Sequence, residues 1–141
     1  MISRVGGVDD ANVLAAAILH DTVEDTDTTR AELVTEFGTV IDALVAEVTD
    51  DKSLDSATRK QHQIDSAPHK SQGAKLIKIA DKTSNVREIG NDPPVDWSVD
   101  RRRAYFSWAE KVVAALGHSN APLEKEFAEA VAEAWRLVGK A

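Results

Sequence analysis

Residues 74–89, AKLIKIADKTSNVREI, decide the fold class of this chain. Leu76, Ile77, Ile79 and Ala80 recur at helical rather than alternating spacing, so the stretch reads as a central α-helix. Gly90 and the Asn91-Asp-Pro-Pro94 cluster predict its end, and Pro68 and Gly73 predict a loop before it. Downstream, Ser98 is placed to cap a long helix bearing Tyr105, Phe106, Trp108, Val112, Val113 and Leu116, with Gly117 closing it. Pro122 opens a last helix, along which Leu123, Phe127, Val131, Trp135 and Val138 form a stripe.

The same logic extends upstream. The solvated segment 50–73, DDKSLDSATRKQHQIDSAPHKSQG, carries a polar helix over 56–66. Before it, a helix over 39–49 is expected to place Val40, Leu44, Val45 and Val48 on one face. Thr29 and Glu32 have capping-box spacing for a short helix that stops at Gly38. Asp9 and Asp10 can cap a first helix over 12–19, whose Ala- and Leu-rich run reads as buried. No convincing strand, internal repeat or interdomain linker interrupts this series. The expectation is an all-α chain forming a single helical domain over residues 1–141.

Composition narrows the function classes. Hydrophobic residues make up 43% of the 141 residues and charged residues 29%, ordinary values for a soluble globular protein. No apolar run approaches the roughly 20 residues of a membrane span, and the first residues, MISRVGGVDD, lack the basic-then-apolar layout of a secretory signal, so a cytoplasmic location is expected. Cysteine is absent, which excludes disulfides and thiolate chemistry. With a net charge of −7 and no basic tract, nucleic-acid binding is not expected. An acidic protein still binds an anionic small molecule where cations are concentrated locally.

Two places break the apolar logic. His20 and Asp21 emerge from the buried-looking run 15–19, where an unpaired charge would be costly. A divalent ion resolves that cost, because imidazole and carboxylate both ligate one; a plain helix terminus is the other reading. Asp81 and Asn85, four apart, share a helix face and together can hold a metal and a substrate oxygen or water. Lys75, Lys78, Lys82 and Arg87 surround Asp81 in sequence. They either offset substrate charge or form a solvated ion-pair surface. Tyr105 can line a pocket or pack beside Phe106 and Trp108. His62, His69 and His118 read as surface residues.

Four segments in one order carry a resemblance: AAAILHDTVEDTDTT (15–29), FGTVIDALVAEVTDDKSL (37–54), RKQHQIDSAPHKSQGAKLIKIADKTSNVREI (59–89) and WSVDRRRAYFSWAEKVVAALGHSN (97–120). Together they resemble the HD-type hydrolase domain of the RelA/SpoT family, in particular its small stand-alone metazoan SpoT-homolog type. The resemblance implies a helical HD domain that binds one manganese ion and hydrolyses the 3′-pyrophosphate of guanosine tetra- or pentaphosphate (ppGpp), the alarmone of the stringent response. It implies metal ligation by His20, Asp21 and Asp81. It implies water activation by Glu24 and Asp25, and substrate contacts from Asn85, Arg101 and Tyr105, with Lys82 among the cations beside them.

The family places a further metal-binding His, and basic substrate residues, ahead of the stretch matching ISRVGGVDDANVL. That segment is expected to precede Met1. Three readings follow: a misassigned start or truncated gene, a short form holding metal through three protein ligands and waters, or a catalytically impaired relative that binds nucleotide or a partner. Without the N-terminal helices, the apolar face of residues 13–19 would be uncovered, favouring a homo-oligomer.

Overall fold

The computed structural model describes residue 16 and residues 39–49, 53–118 and 120–139. Within them the chain forms α1 (Thr39–Val48), α2 (Ser56–Ser66), a 3₁₀ turn (Ala67–His69), α3 (Gln72–Asn91), α4 (Val99–Leu116) and α5 (Ala121–Gly139), and the described residues include no strand. The all-α expectation holds. Ala16, from the run expected to form the first helix, is helical and fully buried; the remainder of that helix and the short helix of residues 29–38 lie outside the described residues.

Side-chain caps set the helix starts. The Asp55 carboxylate accepts from the Thr58 backbone N–H at 2.8 Å, opening α2. Ser71 Oγ accepts from Ala74 N at 3.3 Å for α3, and Ser98 Oγ from Arg101 N at 3.1 Å for α4. Asn120 Oδ1 accepts from Leu123 N at 3.1 Å at the start of α5. Each satisfies one of the backbone donors that a helix N-terminus leaves without a partner. Gly117 ends α4 with φ of 73°, a left-handed backbone that favours glycine.

α3 is the axis of the bundle. It packs most extensively on α5, then on α4, and α1 also lies against it. Leu76, Ile77, Ile79, Val86 and Ile89 are buried around its circumference, as expected of a helix enclosed by neighbours. From α4 come Phe106, Ala109, Val112 and Leu116; from α5 come Leu123, Phe127, Val131, Ala134 and Val138. Burying a side chain such as Phe106 contributes about 2–3 kcal/mol. The Trp135 ring meets the Phe106 ring nearly edge-on, with centroids 5.6 Å apart.

Three sequence expectations are corrected. On α1 the buried positions are Ile41, Val45 and Val48, whereas Val40 is 58% exposed; the helix face turns one residue further than the hydrophobicity of Val40 suggested. Gly73 is no loop residue but lies in the first turn of α3, because Ser71 caps the helix ahead of it. Gly90 does not end α3, which continues to Asn91. Its role is close approach: a Cβ there would sit 3.1 Å from Cα and Cβ of Ala134 on α5.

Candidate active site

α2, α3 and α4 each present one polar row to a shared cavity of about 380 Å³. The rows are Ser56, Arg59, Lys60 and Gln63; Lys78, Asp81, Lys82 and Asn85; and Trp97, Arg101, Tyr105 and Trp108. Within α2, α3 and α4 these residues recur three or four apart, so the helical repeat puts them on one face, and Trp97, just ahead of α4, extends the third row. Among the described residues, the lining carries five cationic side chains and the Asp81 carboxylate. In a chain of net charge −7, these cations are a local concentration of positive charge suited to an anionic ligand.

Asp81 is the acidic centre of the wall, its side chain 21% exposed. Asn85 Nδ2 donates to Asp81 Oδ2 at 3.4 Å, and Lys82 Nζ lies 3.5 Å from the same oxygen. The two residues expected to share a helix face therefore meet. Lys82 itself is only 4% exposed, and its ammonium also sits over the Trp108 ring, 4.3 Å from the centroid. Lys60 Nζ lies 5.6 Å from that centroid, and Trp108 Nε1–H donates to the Lys60 carbonyl at 3.0 Å.

Arg101 stacks on Trp97, its guanidinium carbon 4.1 Å from the ring centroid. Tyr105 lies between the two indoles, 6.0 Å from Trp97 and 5.4 Å from Trp108. Burial is the main reason its phenol is pushed far above the ordinary tyrosine value; the negative charges of Asp81 and Glu88 act in the same sense, and a hydrogen bond with Asn85 opposes them. The phenol is thus held protonated as a hydrogen-bonding group at the cavity wall. Tyr105 serves packing and lining together, for it also meets Phe106 nearly edge-on at 6.5 Å.

The cations named from sequence divide. Lys78, 5% exposed, and Lys82 line the cavity. Lys75 does not line it, and Arg87 turns away to pair with Glu126 on α5. His62, His69 and His118 are exposed, as expected, and His118 lies beside Glu124. Sequence reasoning missed Arg59, Lys60 and Gln63 as well as the two indoles. The spacing within each row was the available signal.

His20, Asp21, Glu24 and Asp25 lie outside the described residues. Among the described residues no group of three or more His, Cys, Asp or Glu side chains converges. What the cavity supplies toward a divalent ion is the Asp81 carboxylate with the Asn85 amide beside it, a hard oxygen donor set that fits one side of such a site. Among the described residues, no helix is long and apolar enough to cross a membrane.

The described residues form a helical bundle with Asp81 at the wall of a cation-lined cavity, and the HD-domain family profile matches residues 2–118, so this chain belongs to the HD-domain family. Its relatives sharpen the placement. The mouse guanosine-3′,5′-bis(diphosphate) 3′-pyrophosphohydrolase MESH1 is 48% identical over 125 residues, 89% of this chain and 70% of the relative. The zebrafish MESH1 is 46% identical over 127 residues, 90% and 71% of the two chains. A solved structure of a metazoan SpoT ortholog, described as hydrolysing ppGpp and acting in starvation responses, superposes with a TM-score of 0.89 at 45% identity. That match covers 94% of this chain and 74% of the other.

Proposed function

We propose that this chain is a manganese-dependent pyrophosphohydrolase that removes the 3′-pyrophosphate of guanosine tetra- or pentaphosphate. The observation that carries the reading is the cavity: among the described residues, five cations and three aromatic rings line it together with the Asp81 carboxylate. The activity named for the mouse and zebrafish relatives supports the substrate. An adjoining cleft of about 440 Å³ shares Asn85 and Trp97, and Glu88, Asp92 and Pro94 are among its walls. Carboxylates suit the N–H donors of a guanine edge better than they suit phosphate.

In this reading His20, Asp21 and Asp81 hold one divalent ion, which supplies Lewis-acid polarisation of a phosphoryl oxygen. Glu24 or Asp25 accepts the proton of the attacking water as general base. Lys82, Lys78 and Arg101 offset the negative charge of the phosphates by charge-assisted hydrogen bonds. Asn85 orients Asp81, and the protonated Tyr105 phenol donates to a substrate oxygen. Pyrophosphate release from ppGpp, followed with manganese and with chelator, tests the proposal. Release only with metal is expected. A metal-loaded, folded chain that binds ppGpp without releasing pyrophosphate would replace the hydrolase with a nucleotide-binding relative.

A further inference from the structure

Trp108 stands apart from the packing of its own helix. The core stripe of α4 runs through Phe106, Ala109, Val112 and Leu116, all buried, whereas Trp108 is half-buried and faces the cavity. Its indole makes three contacts that converge on two lysines. The Lys82 and Lys60 ammonium groups lie 4.3 and 5.6 Å from the ring centroid, and the N–H binds the Lys60 backbone carbonyl at 3.0 Å. The lysines come from different helices, α3 and α2.

A nearly buried ammonium such as Lys82 needs compensation for lost hydration. The Asp81 carboxylate, 3.5 Å away, supplies some. On the reading of Asp81 as a metal ligand, the same oxygens are drawn toward a divalent ion, and a tight ion pair with Lys82 would compete for them. The face of an indole attracts a cation through its quadrupole without any lone pair that metal or phosphate would contest. It therefore holds a lysine beside a metal ligand through a contact that takes no lone pair from the carboxylate.

We propose that Trp108 is a positioning residue: its ring holds the Lys82 and Lys60 ammonium groups toward the phosphate oxygens of the ligand. This rests on the cavity being a phosphate site. The geometry separates a positioning role from a packing role, because phenylalanine keeps a weaker ring face whereas leucine keeps only bulk.

The test is calorimetric binding of inorganic pyrophosphate to the metal-free chain. Trp108→Leu is expected to weaken binding about 10-fold, and Trp108→Phe by no more than about 3-fold. In Lys82→Met the added Trp108→Leu change loses much of its effect, so the double variant falls short of the product of the singles. Equal losses in the Phe and Leu variants, or single effects that simply multiply, would overturn the positioning role. Absence of pyrophosphate binding by the unaltered chain would overturn it too. A chain that binds pyrophosphate with this pattern yet releases none from ppGpp would uphold the inference and sink the hydrolase reading alone.

Discussion

Tyr105 is the only tyrosine in the chain, so its ionisation is directly observable by ultraviolet titration. Burial, seconded by Asp81 and Glu88, disfavours its phenolate. The unfolded chain ionises near the ordinary value of about 10. A raised value in the folded state contributes stability that is fully present below that pH and lost as pH climbs beyond it. Phenolate absorbance should therefore appear in the folded protein only well above pH ~10, or together with unfolding, and Tyr105→Phe should flatten the alkaline fall in Tm. Ionisation at the ordinary value would contradict the buried phenol. At this scale the sequence disclosed Asp81, Lys82, Asn85, Arg101 and Tyr105 as neighbours of one chemistry, and all five line the cavity. It did not disclose Lys60 or Trp108, because a lysine in a polar helix and an indole in an aromatic run look alike whether they face solvent, core or cavity. Only the packing of α2 against α4 brings those two together.

At the level of elements, caps and close approaches were readable to different degrees. Ser98 was recognisable as the start of α4, and its hydroxyl does accept from Arg101 N. Ser98→Ala should cost about 1 kcal/mol, seen as a Tm lower by roughly 3 °C, with ppGpp turnover nearly unchanged. Gly90 was read as a helix stop, since glycine's usual message is conformational. Its message here is steric and depends on a partner 44 positions away on α5, Ala134. Gly90→Ala would gain up to about 1 kcal/mol in helix propensity but must push the α5 backbone from a 3.1 Å contact. Overpacking of this kind costs about 1–3 kcal/mol, so thermal unfolding should show net destabilisation. A more stable Gly90→Ala variant would mean that α3 and α5 separate easily. The misplacement of Val40 has a similar origin: one β-branched residue at a helix start fits either face until a neighbour selects Ile41.

For the whole molecule, a net charge of −7 concealed a local gathering of cations. Five cations converge only because α2, α3 and α4 turn one row each toward a common space. The helical class, the order of elements and the family were legible from sequence, through capping residues and four motifs in one order. The shape of the cavity was not, because it arises from contacts between helices rather than from any one of them. Asp81 is the described residue assigned to the metal, and the hydrolase reading depends on it. The decisive measurement is the initial rate of pyrophosphate release from ppGpp with manganese, for the unaltered chain and Asp81→Asn side by side, with Tm and bound metal recorded for both. The expected result is a drop of at least about 100-fold in rate together with lost metal, in a protein that remains folded. A folded Asp81→Asn protein that hydrolyses ppGpp at the unaltered rate would contradict it.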